Sequence, residues 1–179
     1  MDRKRLTILG KVALLFVLAI LLQTLLVSRV SVLGVTADLF LILTVVVAVS
    51  RGSMEGAIFG FFAGLIADIA FFQLLGVRAL IYVLVGYFVG MFVARFGTVS
   101  PWGVLILAGG SSFLAQFVFG LFQYIMGPRA AMLTMVGTQM IPGALLDALV
   151  AVPVYVFLVR LRVIPAPRVE PAAGRSAGQ

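Results

Sequence analysis

Residues 51–90 read RGSMEGAIFGFFAGLIADIAFFQLLGVRALIYVLVGYFVG, and this stretch decides the fold. Gly56, Gly60, Gly64 and Asp68 follow one another at intervals of four inside an almost wholly apolar run, so on a helix all of them fall near one face. A face of small residues lets two helix backbones approach closely in lipid, where packing rather than the hydrophobic effect drives association. The carboxylate at its end is costly at membrane depth and has to face protein or water. Gly86 and Gly90 repeat the four-residue spacing in the next apolar stretch. These five glycines are expected to pack helices together or to face a partner.

The whole chain fits this reading. It has 179 residues, 63% of them hydrophobic and 11% charged, with a mean hydropathy of +1.24, and a water-soluble domain of that length could not cover so much apolar surface. Six apolar stretches, 12–28, 32–50, 56–75, 79–94, 103–126 and 134–159, are each near the roughly 20 helical residues that cross a hydrocarbon core. The separators carry turn residues, among them Arg51-Gly52-Ser53, Gly76-Val77-Arg78, Arg95-Phe96-Gly97 and Gly127-Pro128-Arg129. The expected fold is an all-α integral membrane protein of six transmembrane helices, with a domain over residues 1–164. The Pro-, Ala-, Gly- and Arg-rich segment 165–179 is expected to be a disordered cytoplasmic tail.

Charge sets the orientation. With six crossings and a cytoplasmic N-terminus, ten of the 13 basic residues lie inside and three, Arg29, Arg78 and Arg129, lie outside. Both termini are then cytoplasmic, and the first stretch serves as an uncleaved signal anchor. The formal charge of +7 reflects this asymmetry, not a nucleic-acid surface, because the basic residues are scattered singly or gathered at the chain ends. Cysteine and histidine are absent, which removes thiolate nucleophiles, imidazole acid–base chemistry and the usual zinc ligands. No catalytic residue, cofactor site or metal site is expected.

Asp38, Asp68 and Asp147 interrupt the apolar stretches, and Arg78 belongs to an outer turn within reach of Asp38 or Asp68. Two readings of these residues stay open: a polar clamp that fixes helix packing, or part of an ion or proton path. Asp147 shares a helix face with Gly143 and Ala151 and has no basic residue at its depth. Ser111 and Ser112 are expected to bond to their own helix or to a neighbour, since no base accompanies them. Pro142 and Pro153 can bend the last helix.

Taken in order, Ala37-Asp38-Leu39-Phe40-Leu41-Ile42, Arg51-Gly52, Gly56, Gly60-Phe61-Phe62-Ala63-Gly64-Leu65-Ile66-Ala67-Asp68, Leu75-Gly76-Val77-Arg78-Ala79-Leu80 and Val85-Gly86-Tyr87 resemble the rod shape-determining protein MreD family. The order and spacing match over about half the chain. Ala37, Ala70-Phe71 and Asp147 stand where many members have a proline, a Ser-Gly pair and an asparagine. The resemblance implies a non-enzymatic scaffold subunit of the bacterial elongation machinery in the inner membrane. Its implied partners are the bitopic protein MreC and, indirectly, the actin-like MreB, the RodA glycosyltransferase and its penicillin-binding transpeptidase. It also implies a fold similar to the substrate-binding subunits of energy-coupling-factor vitamin transporters, so the rival function is solute binding.

Overall fold

In the computed structural model, residues 36–70, 76–97, 101–126 and 136–160 are described. They form helices α1 (Leu39–Arg51), α2 (Ser53–Ala70), α3 (Val77–Phe96), α4 (Pro101–Met126) and α5 (Ile141–Arg160), the last preceded by a π-helical turn, Val136–Met140. The first apolar stretch and the 165–179 tail lie outside the described residues.

Local chemistry sets the boundaries. Asp38 caps α1, its side chain accepting the Leu41 N–H at 3.2 Å. Gly52 and Gly97 close α1 and α3 with φ of +100° and +83°, a region open to glycine, and their N–H groups donate back to the Ala48 and Val93 carbonyls. Pro101 opens α4, where its missing N–H is no loss. The π-helical turn runs directly into α5, whose second residue is Pro142, so the irregular ladder falls where proline withholds a donor.

Among the described residues four helical stretches are long and apolar enough to cross a membrane: Ser53–Ala70, Val77–Phe96, Trp102–Phe122 and Val136–Arg160. The second apolar stretch differs from the reading of the sequence. Residues 36–38 are not helical, and α1 has 13 residues, about 20 Å of rise against a core of about 30 Å. The reason is Asp38, whose carboxylate ends the helix by capping it. Arg78, expected in a turn, lies in the first turn of α3.

The bundle is built around α1. Every residue from Leu39 to Ala48 is buried, and α1 contacts each of the other four helices. Such a helix, apolar on all sides, belongs inside. The outer helices turn much of their bulk outward: Phe61, Phe62, Phe88, Phe92, Leu114 and Leu145 are exposed, while the inward positions of α2 are Gly56, Gly60, Ala63, Gly64, Ala67 and Asp68, with Phe59 the one large side chain among them. Large apolar groups outside and small ones inside is the arrangement suited to lipid.

Two antiparallel pairs flank α1. In α2–α3 the glycines are spent on backbone contact. A Cβ on Gly56 would lie 2.6 Å from the Ala48 Cβ and 2.9 Å from the Gly86 carbonyl oxygen, and one on Gly64 would lie 2.6 Å from the Ala79 nitrogen. Gly60 faces the Tyr82 carbonyl, Gly86 the Gly56 backbone, and Gly90 the Ser53 backbone. In α4–α5, Gly109 meets the Ala148 Cβ, and Gly143 leaves room for the Gln116 side chain.

Candidate functional site

The intramembrane carboxylates gather around the start of α1. Asp38 accepts the Arg78 guanidinium on its Oδ2 at 3.1 Å and also the Tyr82 hydroxyl, while its Oδ1 caps the helix. Its backbone N–H donates to Asp147 Oδ1 at 2.7 Å. The other Asp147 oxygen accepts the Ser112 hydroxyl, and Ser112 Oγ in turn accepts the Gln116 amide at 2.9 Å. The result is a continuous hydrogen-bonded chain from Gln116 on α4, through Asp147 on α5 and Asp38 before α1, to Arg78 and Tyr82 on α3. Asp147, Ser112 and Tyr82 are fully buried, so each of these bonds replaces one that water cannot supply.

Asp68 does something different. Its Oδ2 accepts the Gly76 N–H at 2.7 Å and the Ala79 N–H at 3.4 Å, and its Oδ1 the Arg78 N–H at 3.3 Å. A carboxylate from the end of α2 thus caps the first turn of α3, where helix N–H groups have no partner of their own and the helix dipole favours negative charge. Gly76 enables it, since its φ of +97° turns the chain sharply into α3. Of the two ion pairs open to Arg78 in the sequence, the guanidinium takes Asp38; Asp68 receives backbone N–H groups. The guanidinium also lies over the Phe119 ring, 4.9 Å from its centre.

Asp38, Arg78 and Asp147 are therefore brought into one network, Asp68 lies beside it through Arg78, and the five glycines make the α2–α3 contact. Reading the sequence misses the cap at Asp38, although an aspartate directly before an apolar run is a start signal. It also misses Tyr82 and Gln116 as members of the network, for which local sequence carries no sign. Ser112 bonds to a neighbouring helix, as expected. Among the described residues no group of three acidic, histidine or cysteine side chains is placed to hold a metal ion.

The model of the family described as rod shape-determining protein MreD matches residues 4–162. The chain belongs to the MreD family. Neither a curated protein nor a solved structure matches it. Membership supplies the role in rod shape determination, and with four apolar helices of spanning length it makes this MreD-family chain an integral membrane protein. The network just described is thus a set of polar contacts inside the membrane-embedded part of a shape-determining protein.

Proposed function

We propose that this MreD-family chain is a non-enzymatic scaffold of the bacterial elongation complex, docking the single membrane helix of MreC in the inner membrane and, through it, positioning the wall-synthesis enzymes. The observation that carries the reading is that the carboxylates of half-buried Asp38 and of buried Asp68 and Asp147 are taken up by groups of the chain itself: backbone N–H groups, hydroxyls and one guanidinium. Such an interior is suited to holding a shape, and the lipid-facing surface is left for partners. The glycine face of α2 is consumed within the fold, so docking falls to other surfaces of the bundle. The proposed topology keeps six crossings with both termini cytoplasmic; reporters fused at Arg129 and Gln179 are expected to score on opposite sides, and a shared compartment overturns it.

One observation favours the rival, a solute-binding subunit. Helix α1 starts after non-helical backbone at residues 36–38 and beside polar groups, a feature that transporter binding sites also use. The two readings separate on one experiment: mild extraction of the tagged chain from native membrane, with identification of what accompanies it. The scaffold reading expects an MreC-type bitopic protein in stoichiometric yield and loss of rod shape on depletion. A chain that purifies without protein partners but carries a bound small solute sinks it.

A further inference from the structure

The way the chain's own groups take up the carboxylates of Asp38 and Asp147 points to a mechanical role. Both Asp38 oxygens and both Asp147 oxygens accept hydrogen bonds from the chain. What distinguishes Asp38 is that it bonds in two directions by two different parts. Its carboxylate holds α3 through Arg78 and Tyr82, whereas its backbone N–H holds α5 through Asp147. It does so at the non-helical entry to α1, the helix in contact with both pairs. The carboxylate and the N–H leave the same Cα, and the carboxylate is further tied to the Leu41 N–H, so a pull on the side chain from α3 is shared with the backbone that seats Asp147.

We infer that Asp38 is a positioning residue that couples the α2–α3 pair to the α4–α5 pair, so that displacement of one pair is transmitted to the other. A partner or lipid that moves α3 against α1 then alters the seat of Asp147 and, with it, Ser112 and Gln116 on α4. This inference concerns the mechanics of the bundle and holds whichever occupant the membrane-facing surface takes.

The test deletes one hydroxyl from each pair. Tyr82→Phe removes the bond to the Asp38 carboxylate, and Ser112→Ala the bond to Asp147; the path between the two hydroxyls runs through Asp38 and Asp147. Arg78 is left intact because its stacking on Phe119 joins α3 to α4 by a second route. Thermal midpoints of the purified full chain are measured for the two single variants and the double variant. The double variant is expected to lose clearly less than the two single losses together, since loosening either arm already loosens the other, with the Arg78–Asp38 ion pair kept in all three variants. Repeating the cycle with Asp38→Ser, which keeps a capping oxygen but is too short to reach Arg78 and Tyr82, is expected to give additive losses. Additive losses in the native background overturn the proposal, and so does non-additivity that persists unchanged with Asp38→Ser.

A distance measurement covers the case in which Asp38→Ser does not fold. The chain has no cysteine, so spin labels at Leu84→Cys on α3 and Leu145→Cys on α5, both exposed positions, report the separation of the pairs directly. One narrow distance distribution is expected in the native background and in Arg51→Gln, which breaks only the exposed pair with Glu55. A broader or displaced distribution is expected in Tyr82→Phe and in Ser112→Ala. Identical distributions in all four sink the coupling.

Discussion

The two helix pairs solve the same problem with different chemistry. Helices α2 and α3 meet backbone to backbone: the groups that a Cβ on Gly56, Gly60, Gly64, Gly86 or Gly90 would strike include main-chain atoms. Helices α4 and α5 meet through side chains. At Gly143 the obstacles are the terminal atoms of Gln116, and at Gly120 the tip of Met140 in the π-helical turn that leads into α5. A backbone cannot retreat without moving its helix, but a long side chain can turn. The first contact is therefore rigid and intolerant, and the second is adjustable and held in register by hydrogen bonds. A membrane bundle thus uses close approach where it needs a fixed hairpin and polar bonds where two helices need a defined alignment.

The largest break in this contrast is expected from Gly60→Leu. The added side chain is driven into the Tyr82 backbone and the Thr44 methyl group, so destabilisation of about 3 kcal/mol or more and loss of folded protein in a detergent melt are expected. A melt unchanged from the parent would show that α2 and α3 do not meet as described.

Next comes Asp68. Asp68→Leu strands the buried Ala79 N–H and deprives the half-buried Arg78 and exposed Gly76 N–H groups of their acceptor, and is expected to cost about 2 kcal/mol. Asp68→Asn keeps one acceptor oxygen but turns an amide NH₂ toward a donor and removes the charge facing the helix dipole, so an intermediate loss of about 1 kcal/mol is expected. Equal losses for the two variants would remove the cap as the cause.

Gly143→Ala probes the adjustable contact. Its Cβ meets Gln116 Oε1 at 2.7 Å, a group that can rotate at the cost of its bond to Ser112, so a loss of about 1 kcal/mol is expected. A loss as large as that of Gly60→Leu would erase the distinction between the pairs. Smallest, and of opposite sign, is Gly110→Ala. Nothing lies within 4 Å of the added methyl and the site is exposed on α4, so a gain of about 0.5–1 kcal/mol from helix propensity is expected. Destabilisation there would mean that Gly110 is already in contact with something.

These positions also show what a sequence makes legible. The glycine spacing of α2 and α3 is visible because a helix repeats its faces at fixed intervals, and the four spanning helices follow from length and hydropathy alone. The chemistry of Asp68 is not visible, since its partners are backbone N–H groups that every residue but proline carries. Asp38 is legible as a partner within reach of Arg78; that the N–H of the same residue reaches an aspartate 109 positions away is set by the tertiary fold. Ser112, Gln116 and Asp147 look like isolated polar residues until α4 and α5 are laid side by side.

The enclosure of α1 has a consequence for the order in which the protein is made. Leu39–Arg51 leaves the ribosome ahead of all the helices described around it, and Asp147, which takes up the Asp38 N–H, follows after more than a hundred further residues. Until then the entry of α1 lacks that bond, and the helix is too short to cross the bilayer by itself. Among the described helices the central one is thus the least self-sufficient during biosynthesis, and its final seat has to await the last of them.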